Sequence, residues 1–278
     1  MNTILDFRYH FHAFREIIAL LTKHWQLTWE MTKREVTQRY VGQVFGTLWT
    51  IGHPIALMAV YVFIFAFVFK MRIGGTNELP LNYTTYMLSG LIPWITFQEV
   101  MGKSSTVITG DASLVKQIVF PIEVLPVKSV LSALPTQLVA TLLLFIYILL
   151  THGSPFLMNV AFPLLFFFQL LAMIGTSYLF SAVGVYFRDL KDFVQVYCTI
   201  GFFIVPILYL PRMVPKVLQP VLYLNPFSYL IWCYQDVFYF GRFEHWWAWL
   251  VFSIMSISIF YVGYRVFRKL KIMFGNVL

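Results

Sequence analysis

The sequence predicts an all-α integral membrane protein with six transmembrane helices, an N-terminal amphipathic interface helix and a re-entrant helix pair. Three observations predict it. The 278 residues are 59% hydrophobic and only 12% charged, where soluble domains carry roughly 25% charged residues. Six mainly apolar runs approach the ~20 residues that a spanning helix needs. The 20 Lys and Arg residues lie mostly between these runs or before and after them, so they report orientation in a bilayer. That placement also excludes the nucleic-acid partner that a net charge of +8 invites.

The segment 1–43 reads as cytoplasmic and interfacial. Phe11, Phe14, Ile18, Leu21 and Trp25 recur at steps of three and four, while Arg15, Glu16, Lys23 and Gln26 fall mostly elsewhere; this is a helix lying in a membrane surface. Asp6, Arg8, Arg15 and Glu16 interrupt the opening, so no cleaved leader is expected. The first run, 44–69, begins inside RYVGQVFGTLWTIGHP. Gly42 and Gly46 form a G-x-x-x-G that allows close helix approach in lipid. Trp49 suits an aromatic belt, and Pro54 predicts a kink that frees a carbonyl near residue 50. The second run, 86–108, contains Pro93, Glu99 and Lys103. The third is 128–150, with Pro135 inside, and the fourth is 156–187. The fifth, 193–210, is ended by Pro206 and Pro211. The sixth is 246–267, so 44–267 forms a six-span core and 268–278 a tail, all in one domain over 1–278.

Basic residues choose the side. Six precede the first run, four lie at or beyond the end of the last, three lie between runs two and three or at their facing ends, and two between runs four and five. The opposite face has only Lys70, Arg72, Arg212, Lys216 and Arg242, so both termini are predicted to be cytoplasmic. The stretch 213–242 contains an apolar run, 226–240, too short to span. Punctuated by Pro215, Pro220 and Pro226, it suits a re-entrant or interfacial helix pair, with Asp236 facing water in the turn.

Gly102-Lys103-Ser104 ends like a phosphate-binding loop, but Phe97 stands where that loop needs glycine. Lys103 is read instead as a snorkelling residue with Glu99 as its helical partner, leaving no nucleotide site. His10 and His12 have poor spacing for a helical metal site, and His53 reads as a satisfied buried histidine. Arg188, Asp189, Lys191 and Asp192 read as a solvated connection. Cys198 and Cys233 read as buried free thiols. No carboxylate pair and no nucleophile with a base marks an enzyme. Asp111 or Ser113 can cap a short helix over SLVKQIVF, stopped by Pro121. The large residues Leu114, Val115, Ile118 and Phe120 make it a surface for a soluble partner. Tyr and Trp, at 16 and 8, offer flat apolar faces with a polar edge, which suits sugar rings, although most must be belts or packing.

The pieces REVTQRYVGQVFGTLWTIGHP (34–54), LSGLIPWITFQE (88–99), SLVKQIVFPIEVLPV (113–127) and YLNPFSYLIWCYQDVFYFG (223–241) resemble, in order and over nearly the whole chain, the permease subunit of ABC-2 type polysaccharide exporters, the O-antigen and teichoic acid export family. The resemblance implies a homodimer above a separate ATPase dimer. ATP and Mg sit on that partner, and this chain binds no cofactor. The substrate implied is a lipid-linked polysaccharide, preferably a Gram-negative O-antigen of lipopolysaccharide, crossing the inner membrane. Ser113, Leu114, Val115, Lys116, Gln117 and Ile118, with the N-terminal segment, would contact the ATPase. Asn225, Pro226 and Phe227 would close the periplasmic side. Spans one and five would flank the dimer seam, with Trp49, Tyr61 and Tyr197 along the path and Trp94 at the outer end of span two. Gln117 replaces a usual second basic residue and Ile122 a frequent arginine, which leaves the glycan open. Alternatives are a permease for teichoic acid, capsule or a small lipid or drug, and a membrane enzyme acting on lipid-linked sugars.

Overall fold

The computed structural model describes residues 22–68, 81–116 and 120–277, and every regular element among them is a helix. The interface residues Phe11, Phe14, Ile18 and Leu21, and the coupling candidates Gln117 and Ile118, lie outside the described residues. Helix α1 (Trp25–Gln38) precedes α2 (Trp49–Val62), which continues as a π-helical turn to Val68. Helix α3 (Tyr83–Ser104) leads into two single turns, α4 (Val107–Gly110) and α5 (Ala112–Val115). Helices α6 (Val124–Leu131) and α7 (Leu134–His152) follow one another with a break at Ser132–Ala133, one residue before Pro135 takes up the second position of α7. Then come α8 (Phe162–Tyr186), α9 (Leu190–Ile204), α10 (Gln219–Leu224), α11 (Pro226–Gln235) with a π-helical extension to Phe240, α12 (Trp246–Leu270) and α13 (Phe274–Val277).

Among the described residues, three helical stretches are long and apolar enough to cross a membrane: Val124–His152, Leu157–Tyr186 and Trp246–Met273. Trp49–Val62 is a shorter apolar helix. Helix α3 is long enough but less apolar, because it is packed by protein on nearly every side: 17 of its 22 residues are buried. A helix shielded from lipid can keep Thr, Ser, Gln and Glu.

Contacts sort the chain into two ends. Lys271 pairs with Glu123, Tyr186 Oη donates to Leu270 O (2.9 Å), and Lys128 lies 3.6 Å from Glu35. The described start and end of the chain therefore share one end of the bundle, called here the terminal end. At the far end, Asn82 donates to Tyr147 Oη (3.2 Å), Tyr239 Oη to Leu81 O (3.1 Å) and Asn159 to Val237 O (2.9 Å).

Several boundaries differ from the sequence expectation, each for a local reason. The α-helix of the first apolar run starts at Trp49, not 44. Gly42 (φ +80°) and Gly46 (φ +49°) are left-handed turn residues with open space around them, so their G-x-x-x-G makes no helix contact. The second helix stops at Ser104, not 108. The fifth stops at Ile204, not 210, because Pro206 disfavours helical geometry at the residue before it. His53 is exposed on α2 rather than buried. Cys198 and Cys233 are free thiols, Cys233 fully buried and Cys198 partly so, and Arg188, Asp189, Lys191 and Asp192 are exposed as expected.

Close helix approach occurs instead where α8 crosses α12. A Cβ on Gly175 would sit 2.4 Å from the Phe260 backbone, and one on Gly263 would sit 2.0 Å from Gly175 O. Without a hydrophobic driving force between helices in lipid, such backbone contact and its dispersion energy hold the pair. Gly263→Val should therefore force the helices apart and destabilise the protein by ~1–3 kcal/mol or more. Gly102→Ala, with nothing within 4 Å, should be close to neutral. Thermal unfolding of the two purified variants checks this; equal melting temperatures would refute the backbone-contact account.

Candidate functional site

The terminal end is built on an apolar cluster that includes Ile108, Val115, Leu125, Tyr178, Tyr264, Phe267 and Phe274, with Met31 of α1 packed against it. Thr28 and Thr32 bury the same face of α1 and bond back to His24 O (3.0 Å) and Thr28 O (2.7 Å), which keeps their hydroxyls satisfied. Trp25 and Trp29 stack on each other on the outer face of α1 and stay exposed. Above this cluster lies a net of six charges. Arg39 meets Glu99 at 2.7 Å, Lys103 meets Glu99 at 3.0 Å and Glu35 at 3.3 Å, and Lys128 meets Asp111 at 2.6 Å and Glu35 at 3.6 Å. The Glu99–Lys103 pair is the expected helical one. The larger net was not legible, because it joins α1, α3, α6 and the residue before α5 across long sequence separations.

The coupling candidates divide by burial. Ser113 and Lys116 are exposed and Leu114 is half-buried. Val115 is buried in the apolar cluster, so it belongs to the core and not to a docking face. Asp111 stands at the cap position of α5 but makes no cap hydrogen bond; its carboxylate accepts from Lys128 instead. Of the helix foreseen over SLVKQIVF, the described residues hold one turn, 112–115, followed by a turn at Lys116.

The second region runs along α3 from its first residue, Tyr83, to Phe97. After Ile204 the chain is unwound to Leu210, yet Val205, Ile207 and Leu210 are buried. Their segment's carbonyls are met by hydroxyls and an amide. Tyr83 Oη donates to Leu208 O (2.6 Å), Tyr86 Oη lies 3.2 Å from Pro206 O and 3.1 Å from Tyr209 O, and Gln235 Nε2 donates to Pro206 O (2.8 Å). Irregular backbone at membrane depth persists only when protein satisfies it in this way. Tyrosines that sequence alone offers as sugar platforms are here carbonyl partners.

Helices α10 and α11 form a helix–turn–helix. Asn225 caps α11 by accepting from Phe227 N (3.0 Å), and Pro226 takes the first helical position, where its missing N–H costs nothing. Phe227 sits edge-on to Trp94 (5.3 Å) and Phe97 (5.1 Å) and 6.0 Å from Tyr197. From Phe227, α11 runs back along α3 until Tyr239 reaches Tyr86 and Leu81. Asp236 does not face water. It is fully buried and accepts from His245 N (3.0 Å) and Trp249 Nε1 (3.0 Å), with His245 Nδ1 2.8 Å from its other oxygen.

Of the path candidates, Trp94 and Tyr197 come together with the gate residue Phe227, and Trp49 and Tyr61 do not join them. Trp49 opens α2, exposed and edge-on to Phe45 at 5.8 Å. Tyr61 is half-buried beside Phe202 of α9 at 6.5 Å. Trp94 lies midway along α3, not at its outer end, and has no accessible surface. Its indole closes over Gly201, where an added Cβ would come within 2.7 Å of the ring. Trp94→Ala should therefore cost ~3–5 kcal/mol of stability through the cavity it leaves, and Trp49→Ala, half in the open, much less. Melting curves of the two variants give the comparison, and a Trp94→Ala protein as stable as wild type would show that the indole is not packed as described.

Residues 26–239, from the first turn of α1 to the end of α11's extension, match the ABC-2 type transporter family. The chain is 30% identical over 250 residues to the O-antigen export system permease protein RfbA of Klebsiella pneumoniae, covering 89% of this chain and 93% of that protein. It is 29% identical over 242 residues to the protein of the same name from Myxococcus xanthus (86% and 90% covered). It is 23% identical over 201 residues to the polysialic acid transport protein KpsM of Escherichia coli (71% and 75% covered). With a family match over most of its length and apolar helices long enough to cross a bilayer, this multi-pass membrane protein belongs to the ABC-2 type transporter family.

Proposed function

We propose that the chain is the membrane permease of an exporter that moves a lipid-linked polysaccharide, O-antigen in particular, across the inner membrane, powered by a separate ATPase. The observation that carries this is the near-full-length similarity to relatives named O-antigen export permeases. The similarity to a polysialic acid transport protein supports a capsule-type polysaccharide as the second reading. In this account two copies of the chain pair, and both termini are cytoplasmic. The apolar helices α2 and α9 complete six spans, and α10–α11 re-enter from the periplasmic side. ATP and Mg stay on the partner, since Gly102-Lys103-Ser104 lies in helix α3 with Lys103 occupied by Glu99 and Glu35. Ser113, Leu114 and Lys116, with the exposed indoles of α1, are the surface offered to the ATPase. Tyr197 and Tyr61, on the exposed sides of α9 and α2, are the aromatic faces offered to the sugar chain, with Phe227 as the gate against Trp94.

Topology follows directly. With Cys198 and Cys233 replaced, a cysteine at Gly153 should label from the periplasm and one at Leu190 should not. Periplasmic labelling at Asn276 would mean an odd number of crossings and would end the re-entrant reading.

Energy coupling gives a second expectation. Purified alone, the chain should neither bind nor hydrolyse ATP, and Lys103→Ala should leave nucleotide binding by the assembled complex unchanged. Leu114→Asp should lower export while the protein still accumulates, because only part of its side chain is buried. Val115→Asp should lower accumulation itself, because it puts a charge into the core. Surface polysaccharide and membrane content of the chain, measured together, separate the two. Normal export from Leu114→Asp would reduce the loop to a connector.

A further inference from the structure

The six-charge net at the terminal end is not a set of separate pairs. Glu99 and Arg39, Glu99 and Lys103, and Asp111 and Lys128 each pair on their own account. What joins them is one carboxylate. Glu35 Oε1 lies 3.3 Å from Lys103 Nζ and accepts from Ser132 Oγ at 2.9 Å, while Glu35 Oε2 lies 3.6 Å from Lys128 Nζ. Ser132 Oγ in turn accepts from Lys103 Nζ at 2.8 Å. Glu35 therefore touches α3 through Lys103, α6 through Lys128 and the α6–α7 break through Ser132. Through Lys128 it reaches Asp111, the residue that heads α5.

The net has three carboxylates and three cations, so it carries no surplus charge. The side chains of Glu35, Lys103, Lys128 and Asp111 are 11–29% exposed. Water and salt screen such groups less than fully exposed ones. Holding α1 in place does not require them, since Met31, Thr28 and Thr32 already bury its inner face. Their distinct contribution is angular. Apolar packing lets a helix slide or roll, whereas a carboxylate shared between two lysines on different helices fixes where α1 sits relative to both. Six residues back from Lys103 along α3 is Phe97, and beyond it Trp94, the two rings against which Phe227 rests.

We propose that Glu35 is a positioning residue for energy coupling: its shared carboxylate locks α1 and the 107–116 segment to the inner end of α3, so that a push on either reaches the Trp94–Phe227 contact. The inference rests on the exporter reading above. Spatial continuity alone does not establish coupling, so the test measures coupling itself. Glu35→Gln keeps the shape of the side chain and an acceptor for Ser132 while removing the charge. The full chain, wild type or variant, is assembled with its ATPase partner in proteoliposomes containing lipid-linked O-antigen. ATP turnover, export per ATP and melting temperature are then read together. Glu35→Gln should turn over ATP and melt as wild type, with export per ATP lower by about tenfold, the scale of network effects on coupling. The conservative change Glu35→Asp keeps the shared carboxylate and should retain most of the export per ATP. Unchanged export per ATP in Glu35→Gln overturns the proposal. So does a joint fall in melting temperature, ATP turnover and export, since a structural role would then suffice. If the wild-type assembly hydrolyses ATP without exporting, the exporter reading fails and the proposal falls with it.

Discussion

Backbone carbonyls buried without water must find donors, and in this protein that requirement organises the packing around the start of α3. Pro206 unwinds the chain after α9, and the following carbonyls turn inward. Tyr83 and Tyr86 from α3, with Gln235 from α11, supply the donors. These bonds tie one irregular segment to two helices at once. They also account for the composition of α3, which is buried on nearly all sides and carries hydroxyls that a lipid-facing helix would lack. A buried carbonyl left unpaired costs about 1–3 kcal/mol, so the segment and its tyrosines stand or fall together.

Around this centre the packing uses two other devices. Gly175 and Gly263 bring α8 and α12 into backbone contact, which substitutes for the hydrophobic effect that lipid removes. The buried Gln137, Gln169 and Tyr234 join α7, α8 and α11 by hydrogen bonds, Gln137 Nε2 lying 2.9 Å from both Gln169 Oε1 and Tyr234 Oη. At the far end Asp236 is held by His245 and Trp249, closing α11 onto α12. Polar groups in an apolar interior act as specific fasteners because each has few alternatives there.

The terminal end works differently. An apolar cluster anchors α1, the single turns α4 and α5 and the tail, and a neutral net of ion pairs sits above it. Individual pairs of this exposure contribute little to stability, about 0–1 kcal/mol each. Their arrangement defines angles between elements that packing alone leaves loose.

Composition and patterning by themselves determined that the chain is helical and membrane-embedded, and where most apolar helices run. These follow from quantities summed over windows of residues, which do not depend on which partner each residue meets. The quoted segments determined the family for the same reason: order along the chain survives without coordinates. Tertiary structure decided the rest. Gly42 and Gly46 turned out to be turn residues because a motif spacing does not report φ. Asp236 and Val115 face inward, and His53 outward, because burial depends on neighbours from distant helices. Trp94 is sealed by Gly201 and Phe227, more than a hundred residues away. The hub at Glu35 is likewise invisible to a window, since its partners lie 68 to 97 residues along the chain and only packing brings them to one carboxylate.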